Sequence, residues 1–471
     1  MAKKIPLIFI LILGLGLRLI NLNQSFWLDE ASQAQMSSRT VEWIWSGRQN
    51  DFHPPLFYLL AHFWLQLGKS EFFLRLLPVA FGTANIWAIY ALAKKLLTND
   101  KIKIKSLVID AGYMSAFLLA INPFAIYYSQ ELRTYSLLGL LGTLAVYYLF
   151  TNKWRWLTLI NLLLIYTHYS SAFLIIAQFT YLIFYKRQNL RPFGYSLLIS
   201  LLLYAPWLPQ LWGQIQAGTN IDNYLPGWRS LLSVSAFKIV PLTFFKLTAG
   251  RITFLSKYIY YPYAAFVLAC VFASFKLAKQ NRDFIFNWIL VPVLSMIVFS
   301  VAFPQNQPFR VIYIIPGLVV LSVQACQRFP KLFLTFMIYI ALVGNVSYFT
   351  RPRLQREQWR QSLEYLSSKS SPSVQTMVKF SGKFSPIDWY TPQLPVLAAV
   401  PSFPAQAGEV ASVMSDLSNS QITSVYLFDY LGELTDPQRQ VDQILVDLGF
   451  SKDKTINFEG VGLIHLFNKN P

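Results

Sequence analysis

Long apolar runs separated by short polar, often basic, stretches dominate the first three quarters of the chain. They fall at Ile5–Leu22, Phe72–Ala93, Leu107–Ile126, Tyr135–Phe150, Leu157–Tyr169, Ser171–Tyr185, Phe193–Leu211, Tyr258–Phe275, Phe284–Phe303, Phe309–Ala325 and Leu332–Tyr348. The pattern predicts a polytopic α-helical membrane protein with about 11 transmembrane helices, several shorter than the ~20 residues that cross a bilayer upright. Leu157 to Tyr185 reads either as one long tilted helix or as two short ones meeting at "YTHYSS". From Thr350 onward, short β-prone pieces such as "SVYLFDY" and "GVGLIHLF" alternate with a helix-like "DPQRQVDQILVDLGF". The expected organisation is therefore a membrane domain over 1–349, with a large first loop at 23–71, and a small C-terminal α/β domain over 350–471. No fixed-period repeat is visible.

Charge orients this pattern. Lys3 and Lys4, the Lys94–Lys105 cluster, Lys153 and Arg155, Lys186–Arg191, Lys276–Arg282, and Arg328 with Lys331 all fall on one side if Leu157–Tyr185 is two spans. Basic loops face the cytoplasm, so two spans are preferred. The loops at 23–71, 122–134 and 167–170, the Trp212–Lys257 segment and the C-terminal domain then face outward from a multi-pass protein of the plasma membrane. The "LLSVSAFKIVPLTFFKL" stretch is expected along the interface. The basic "RPRLQREQWR" objects to an outward tail, but long tails translocate largely regardless of charge. The basic N-terminus and first run read as an uncleaved span rather than a signal peptide, for want of a small-x-small cleavage site.

Composition agrees: 54% hydrophobic and only 13% charged residues are far from the soluble norm. The net charge of +18 does not indicate nucleic acid, because no basic stripe interleaved with aromatics exists. Cys270 and Cys326 provide neither a disulfide framework nor metal-ligand spacing.

The outward loops hold the chemistry. "SFWLDEASQAQ" places Asp29 and Glu30 directly after the first span, and "DFHPPLFYLL" adds Asp51 and His53. "NPFAIYYSQELRTYSLL" adds Glu131 and Arg133, "YTHYSS" adds His168, and "FPQNQPFR" adds Arg310. Ionisable residues at a water–lipid boundary are expensive and are usually functional or paired. A carboxylate there could serve as general base, and cations could stabilise a departing phosphate. With no glycine-rich phosphate loop, nothing suggests a nucleotide donor.

The Asp-Glu pair, the His-Pro-Pro segment and Ser-Gln-Glu-Leu-Arg-x-Tyr, in that order, resemble the GT-C superfamily near glycosyltransferase family 39, the protein O-mannosyltransferase-like and aminoarabinose-transferase-like membrane enzymes. The resemblance covers about the first 350 residues in architecture, with its motifs in residues 25–140. "QREQWRQSLEYL" is similar to the junction that opens the extracytoplasmic domain in bacterial relatives. The resemblance implies a polyprenyl-phosphate sugar donor, inverting transfer on the outer face, and a protein, lipid or glycan acceptor. It matches Asp29 to the catalytic carboxylate and Glu131 to the acidic residue of the second loop.

The catalytic candidates are thus Asp29, Glu30 and Glu131; the substrate-binding candidates are Asp51, His53, Arg133, His168 and Arg310. Each has a structural alternative. The first two could serve a helix N-terminus, Asp51 and His53 a turn ahead of Pro54, and Glu131 with Arg133 an ion pair. His168 could be a satisfied interfacial histidine, and Arg310 could snorkel to headgroups. Tyr127, Tyr128, Trp43 and Trp45 read as interface anchors. A divalent metal through Asp51, His53, Glu131 or His168 stays open, since the spacing fixes no geometry. Competing classes are a lipid or sugar-lipid flippase, disfavoured by the absent repeat, and a transferase of a phosphate-bearing group.

Overall fold

The computed structural model describes residues 7–47, 51–97, 101–104, 106–220, 233–254, 256–303, 306–419 and 421–469. Lys3, Lys4, Lys105 and the 221–232 part of the Trp212–Lys257 segment lie outside them. The chain forms two compact units: Met1–Leu22, Thr40–Gln214 and Leu232–Leu354 in the first; Asn23–Arg39, Ile215–Leu231 and Gln355–Pro471 in the second.

The first unit is helical, and each of the eleven apolar runs carries a helix among the described residues. Among the described residues, six helical stretches are long and apolar enough to cross a membrane: Glu71–Leu96, Arg187–Thr219, Lys257–Leu277, Arg282–Phe299, Pro308–Arg328 and Pro330–Thr350. The Leu157–Tyr185 question has a geometric answer. One helix runs Trp154–Thr167, a second Ser171–Tyr185, and His168 between them is extended at φ −162° and ψ 135°. Asn161 Nδ2 donates to Gln178 Oε1 at 2.9 Å and Gln178 Nε2 to Asn161 Oδ1 at 3.1 Å. A continuous helix would hold those residues about 25 Å apart, so the two helices double back.

Two expectations are corrected. The Leu107–Ile126 run is not one helix: Leu107–Asp110 pairs as a strand with Lys101–Ile104, and helices follow at Ala111–Ala120 and Pro123–Ser129. The Asp110 carboxylate caps the first of these by accepting from Gly112 N, and Asn122 caps the second ahead of Pro123. Tyr127 and Tyr128 are buried in a ring cluster with Phe124, Tyr135, Phe309 and Tyr348 instead of anchoring an edge.

Arg18, in the first helix, is fully buried. Its guanidinium donates to Gly14 O (2.8 Å), Ala120 O (3.1 Å) and Ser129 Oγ (3.1 Å). Gly82 leaves the room for this: a Cβ there would lie 2.1 Å from Ser129 Oγ and 3.1 Å from Arg18 Nε.

The second unit contains a five-stranded sheet in the order Val396–Ala398, Val374–Val378, Ser424–Phe428, Gly462–Lys469, Phe450–Phe458. The first three strands are parallel and the last two add antiparallel. Along Ser424–Phe428 the side chains alternate between two buried faces. Val425 and Leu427 pack with Val410, Met414, Val441 and Leu445. Tyr426 and Phe428 pack with Trp359, Leu363, Leu366 and Ile387. Helices on both faces explain why these strands read as continuous apolar runs. The "SVYLFDY", "GVGLIHLF" and "DPQRQVDQILVDLGF" stretches become two strands and the Gln440–Asp447 helix, as expected.

Candidate active site

In the first unit, the sequence "SQELRTY" distributes one segment's polar groups over several others. Gln130 Nε2 donates to Arg18 O (3.0 Å) and Ile20 O (2.6 Å), while its Oε1 accepts from Tyr348 OH at 2.7 Å. Thr134 Oγ1 donates to Thr167 O at 3.1 Å, tying the Tyr135–Phe150 helix to the turn that carries His168. Glu131 is buried in the tight turn between two helices, where Arg133 N donates to Glu131 O at 2.7 Å. Arg133 then reaches the earlier loop, with Nη1 at 3.3 Å from Asp51 Oδ2.

Asp51 is the hub of that loop. Its Oδ1 lies 2.6 Å from His53 Nδ1, and its Oδ2 accepts from Tyr58 OH as well as Arg133. Pro54 and Pro55 interrupt the chain here, and the Leu56–Leu65 helix that follows brings Tyr58 back under the carboxylate. Gln214 Nε2 holds the backbone through Asp51 O at 3.2 Å, and Tyr169 OH in turn donates to Gln214 Oε1 at 2.5 Å. Burial alone would raise the Asp51 carboxyl. The charges of His53 and Arg133, with hydrogen bonds from His53 and Tyr58, outweigh it and hold the carboxyl below its ordinary range.

The His53 ring stands edge-on to His168, with centroids 5.0 Å apart. His168 Nδ1 accepts the backbone N–H of Ser170 at 3.0 Å, which places the neutral ring's proton on Nε2. Burial first, then the charges of His53, Arg310 and Arg133, push His168 well below its usual value, so it is neutral. Ser170 Oγ donates to Arg310 O at 2.6 Å and Tyr313 OH to Ser170 O at 2.9 Å, locking the turn onto the Pro308–Ile314 segment. Arg310 Nε is buried without a hydrogen-bond partner. The structure thus brings Asp51, His53, Arg133, His168 and Arg310 together, with three cationic or cation-capable groups around one carboxylate and a neutral imidazole beside them. Tyr58, Ser170 and Gln214 were missed from the sequence; a tyrosine, a serine and a glutamine carry no signal until the fold supplies their partners.

Asp29 and Glu30 belong to the second unit, in the first turn of the Leu28–Ser37 helix. Glu30 is fully buried, with Arg356 Nε 4.0 Å from its Oε2; Asp29 is half-buried. The two carboxylates diverge, as neighbours on a helix must. Ser32 Oγ donates to Ser385 Oγ (2.7 Å) and Gln35 Nε2 to Asp388 Oδ2 (3.3 Å), fastening the helix to the Ser385–Tyr390 helix. Among the described residues, no group of three or more His, Cys, Asp or Glu side chains is arranged to hold a metal ion.

A family model described as dolichyl-phosphate-mannose-protein mannosyltransferase matches residues 52–210, about a third of the chain. That stretch contains His53, Glu131, Arg133 and His168. Among solved structures, ArnT from Cupriavidus metallidurans bound to undecaprenyl phosphate superposes with a TM-score of 0.58 at 12% identity, covering 98% of this chain and 99% of that one. Its apo form gives 0.57 at 10% identity, over 98% of both chains. The fold is shared with ArnT over nearly the whole of both chains. The Archaeoglobus fulgidus oligosaccharyltransferase, solved tethered to an acceptor peptide, extends the likeness: TM-score 0.52, 12% identity, 99% of this chain and 74% of that one. No curated protein matches the sequence significantly. With this fold and its membrane-length helices, the chain is an integral membrane protein.

Proposed function

We propose that the protein is an inverting glycosyltransferase that moves a sugar from a polyprenyl-phosphate carrier to an acceptor at the outer face of the plasma membrane, with its C-terminal domain on that side. The observation that carries this reading is the cluster of Arg133, Arg310 and His53 around Asp51, with Arg310 Nε still unpaired. A buried guanidinium with an unused N–H suits a phosphate, which offers several acceptor oxygens. That a protein of the same fold was solved with undecaprenyl phosphate bound supports a lipid phosphate as the ligand.

In the reaction, the acceptor oxygen attacks the anomeric carbon opposite the leaving group, and the C1–O bond to phosphate breaks. Asp29 takes the acceptor's proton; Arg133 and Arg310 hold the phosphate as its charge develops. His53 and His168 line the donor side, Asp51 orients Arg133 and His53, and Glu131 helps position the acceptor. Glu30, buried against Arg356, supports Asp29 from behind. The acceptor is a protein, lipid or glycan.

The test is purified protein in nanodiscs with polyprenyl-phosphate hexoses or pentoses and candidate acceptors. Release of polyprenyl phosphate with an inverted glycoside supports the proposal. Polyprenol as product would mean transfer of a phosphate-bearing group, and movement of intact donor across the bilayer would mean a flippase. Arg133→Gln and Arg310→Gln should each weaken donor binding or slow turnover; full activity in the double variant would put phosphate recognition elsewhere.

A further inference from the structure

The Leu28–Ser37 helix begins without a cap of its own: Trp27 precedes it, and its side chain accepts nothing from the first turn. The first-turn N–H of Leu28 finds its acceptor on a distant segment, at Glu357 Oε2, 3.1 Å away. The same oxygen accepts from Trp359 Nε1 at 2.6 Å, and Glu357 Oε1 accepts from Tyr430 OH at 3.2 Å. Trp359 is fully buried, stacked on Phe428 at 5.7 Å and edge-on to Tyr430 at 5.0 Å, so Glu357 is held by the domain core. Gly460, at φ +80°, passes so close that a Cβ there would lie 2.8 Å from Glu357 Cγ. Around this carboxylate the segments are stitched together. Arg356 N donates to Gln24 Oε1 (2.8 Å), Arg360 N to Ser25 Oγ (2.9 Å), and Phe26 N to Tyr390 OH (2.7 Å).

We propose that Glu357 is a positioning residue for Asp29, capping the Asp29 helix from the C-terminal domain and acting on the neighbouring carboxylate by its charge. This rests on the reading that Asp29 is the general base. A helix without its cap frays within the first turn, where Asp29 sits. The electrostatic link is mutual. Burial raises the Glu357 carboxyl, its three donors oppose that, and Asp29 adds to the rise. Burial and the charges of Glu357 and Asp29 likewise raise the Tyr430 phenol. Asp29 on the helix and Tyr430 act on the Glu357 carboxyl, while Arg356, beside it in the chain, faces Glu30. A negative Glu357 makes Asp29 a stronger base.

Two variants of the full-length protein in micelles separate cap from charge. Glu357→Gln keeps an oxygen for Leu28 N–H and removes the charge. It should leave exchange of the 28–31 amides unchanged, lower kcat a few-fold with donor KM constant, and move the acid limb of the kcat profile down by about half a pH unit. Glu357→Ala removes the cap as well; it should speed exchange at 28–31 and lower kcat by about tenfold. An unchanged pH profile in Glu357→Gln, or unchanged exchange in Glu357→Ala, would overturn the proposal. If the wild-type protein transfers no sugar, the functional reading fails, while the exchange measurement still decides whether Glu357 is the cap.

Discussion

Asp51→Asn is the most informative single change in the first unit. It keeps the shape of the side chain but removes the charge facing His53 at 2.6 Å and Arg133 at 3.3 Å. At 3.3 Å and an effective dielectric near 20, the bare attraction to Arg133 is about 5 kcal/mol. Desolvation of both partners cancels much of it. Asp51 is 17% and Arg133 7% exposed, so the pair is mostly buried. Breaking a fully buried pair costs about 3–5 kcal/mol, and the partial exposure here points to about 2–3 kcal/mol of stability. A double-mutant cycle with Arg133→Gln isolates the pair, with an expected coupling of about 1–2 kcal/mol. The assay is denaturant titration of the purified protein in micelles, for wild type, both single variants and the double. A second readout comes from pH. The folded carboxyl lies below its unfolded value of about 3.9, so its stabilisation is complete at neutral pH and is lost as the pH falls below about 4. Asp51→Asn should flatten that acid limb. Additivity of the two single changes within about 0.4 kcal/mol would refute the reasoning.

Gly82→Ala should lower the unfolding midpoint, at a cost of about 1–3 kcal/mol, because the new methyl would sit 2.1 Å from Ser129 Oγ and 2.8 Å from Ser129 Cβ; an unchanged Tm would mean the helices part without loss. Asp29→Asn should slow transfer by about 10²–10⁴-fold with donor binding intact, whereas Glu30→Gln, which removes the charge facing a buried Arg356, should cost stability more than rate; wild-type turnover in Asp29→Asn would remove the base. Cysteines at the exposed positions Lys153 and Lys454 should label with an impermeant reagent from opposite sides, the first from the cytoplasm only; labelling of both from one side would break the topology.

What could be read from the sequence follows from the range of the physics involved. Apolar runs report burial in lipid or core directly, so the helices and the C-terminal strands were legible. The boundary at His168 was legible because a single span would have reversed every later basic cluster. Asp51, His53, Arg133, His168 and Arg310 were singled out because charge near a bilayer is costly wherever it lies. Their mutual arrangement was not readable. The Asp51–Arg133 pair spans 82 residues, and the bond from Ser170 to the Arg310 carbonyl spans 140. The Leu107–Ile126 run misled because an Asp cap and a proline, each a local signal, divide an unbroken apolar stretch. Glu357 was invisible for another reason: a carboxylate in a basic, polar segment looks solvated until the helix it caps is known.

The stitching of residues 23–39 to the C-terminal domain has a consequence for how the protein is made. The Leu28–Ser37 helix leaves the ribosome 329 residues ahead of the carboxylate that caps it. At ~5–20 residues per second, the nascent chain waits roughly 16–66 s before Glu357 exists, and longer before Trp359, Tyr390 and Tyr430 can form a core. Throughout that interval the Asp29 helix lacks the carboxylate that caps it. A ribosome that stalls before residue 357 leaves the Asp29 helix without that cap. If Asp29 is the base proposed above, truncations ahead of residue 355 should insert yet transfer no sugar.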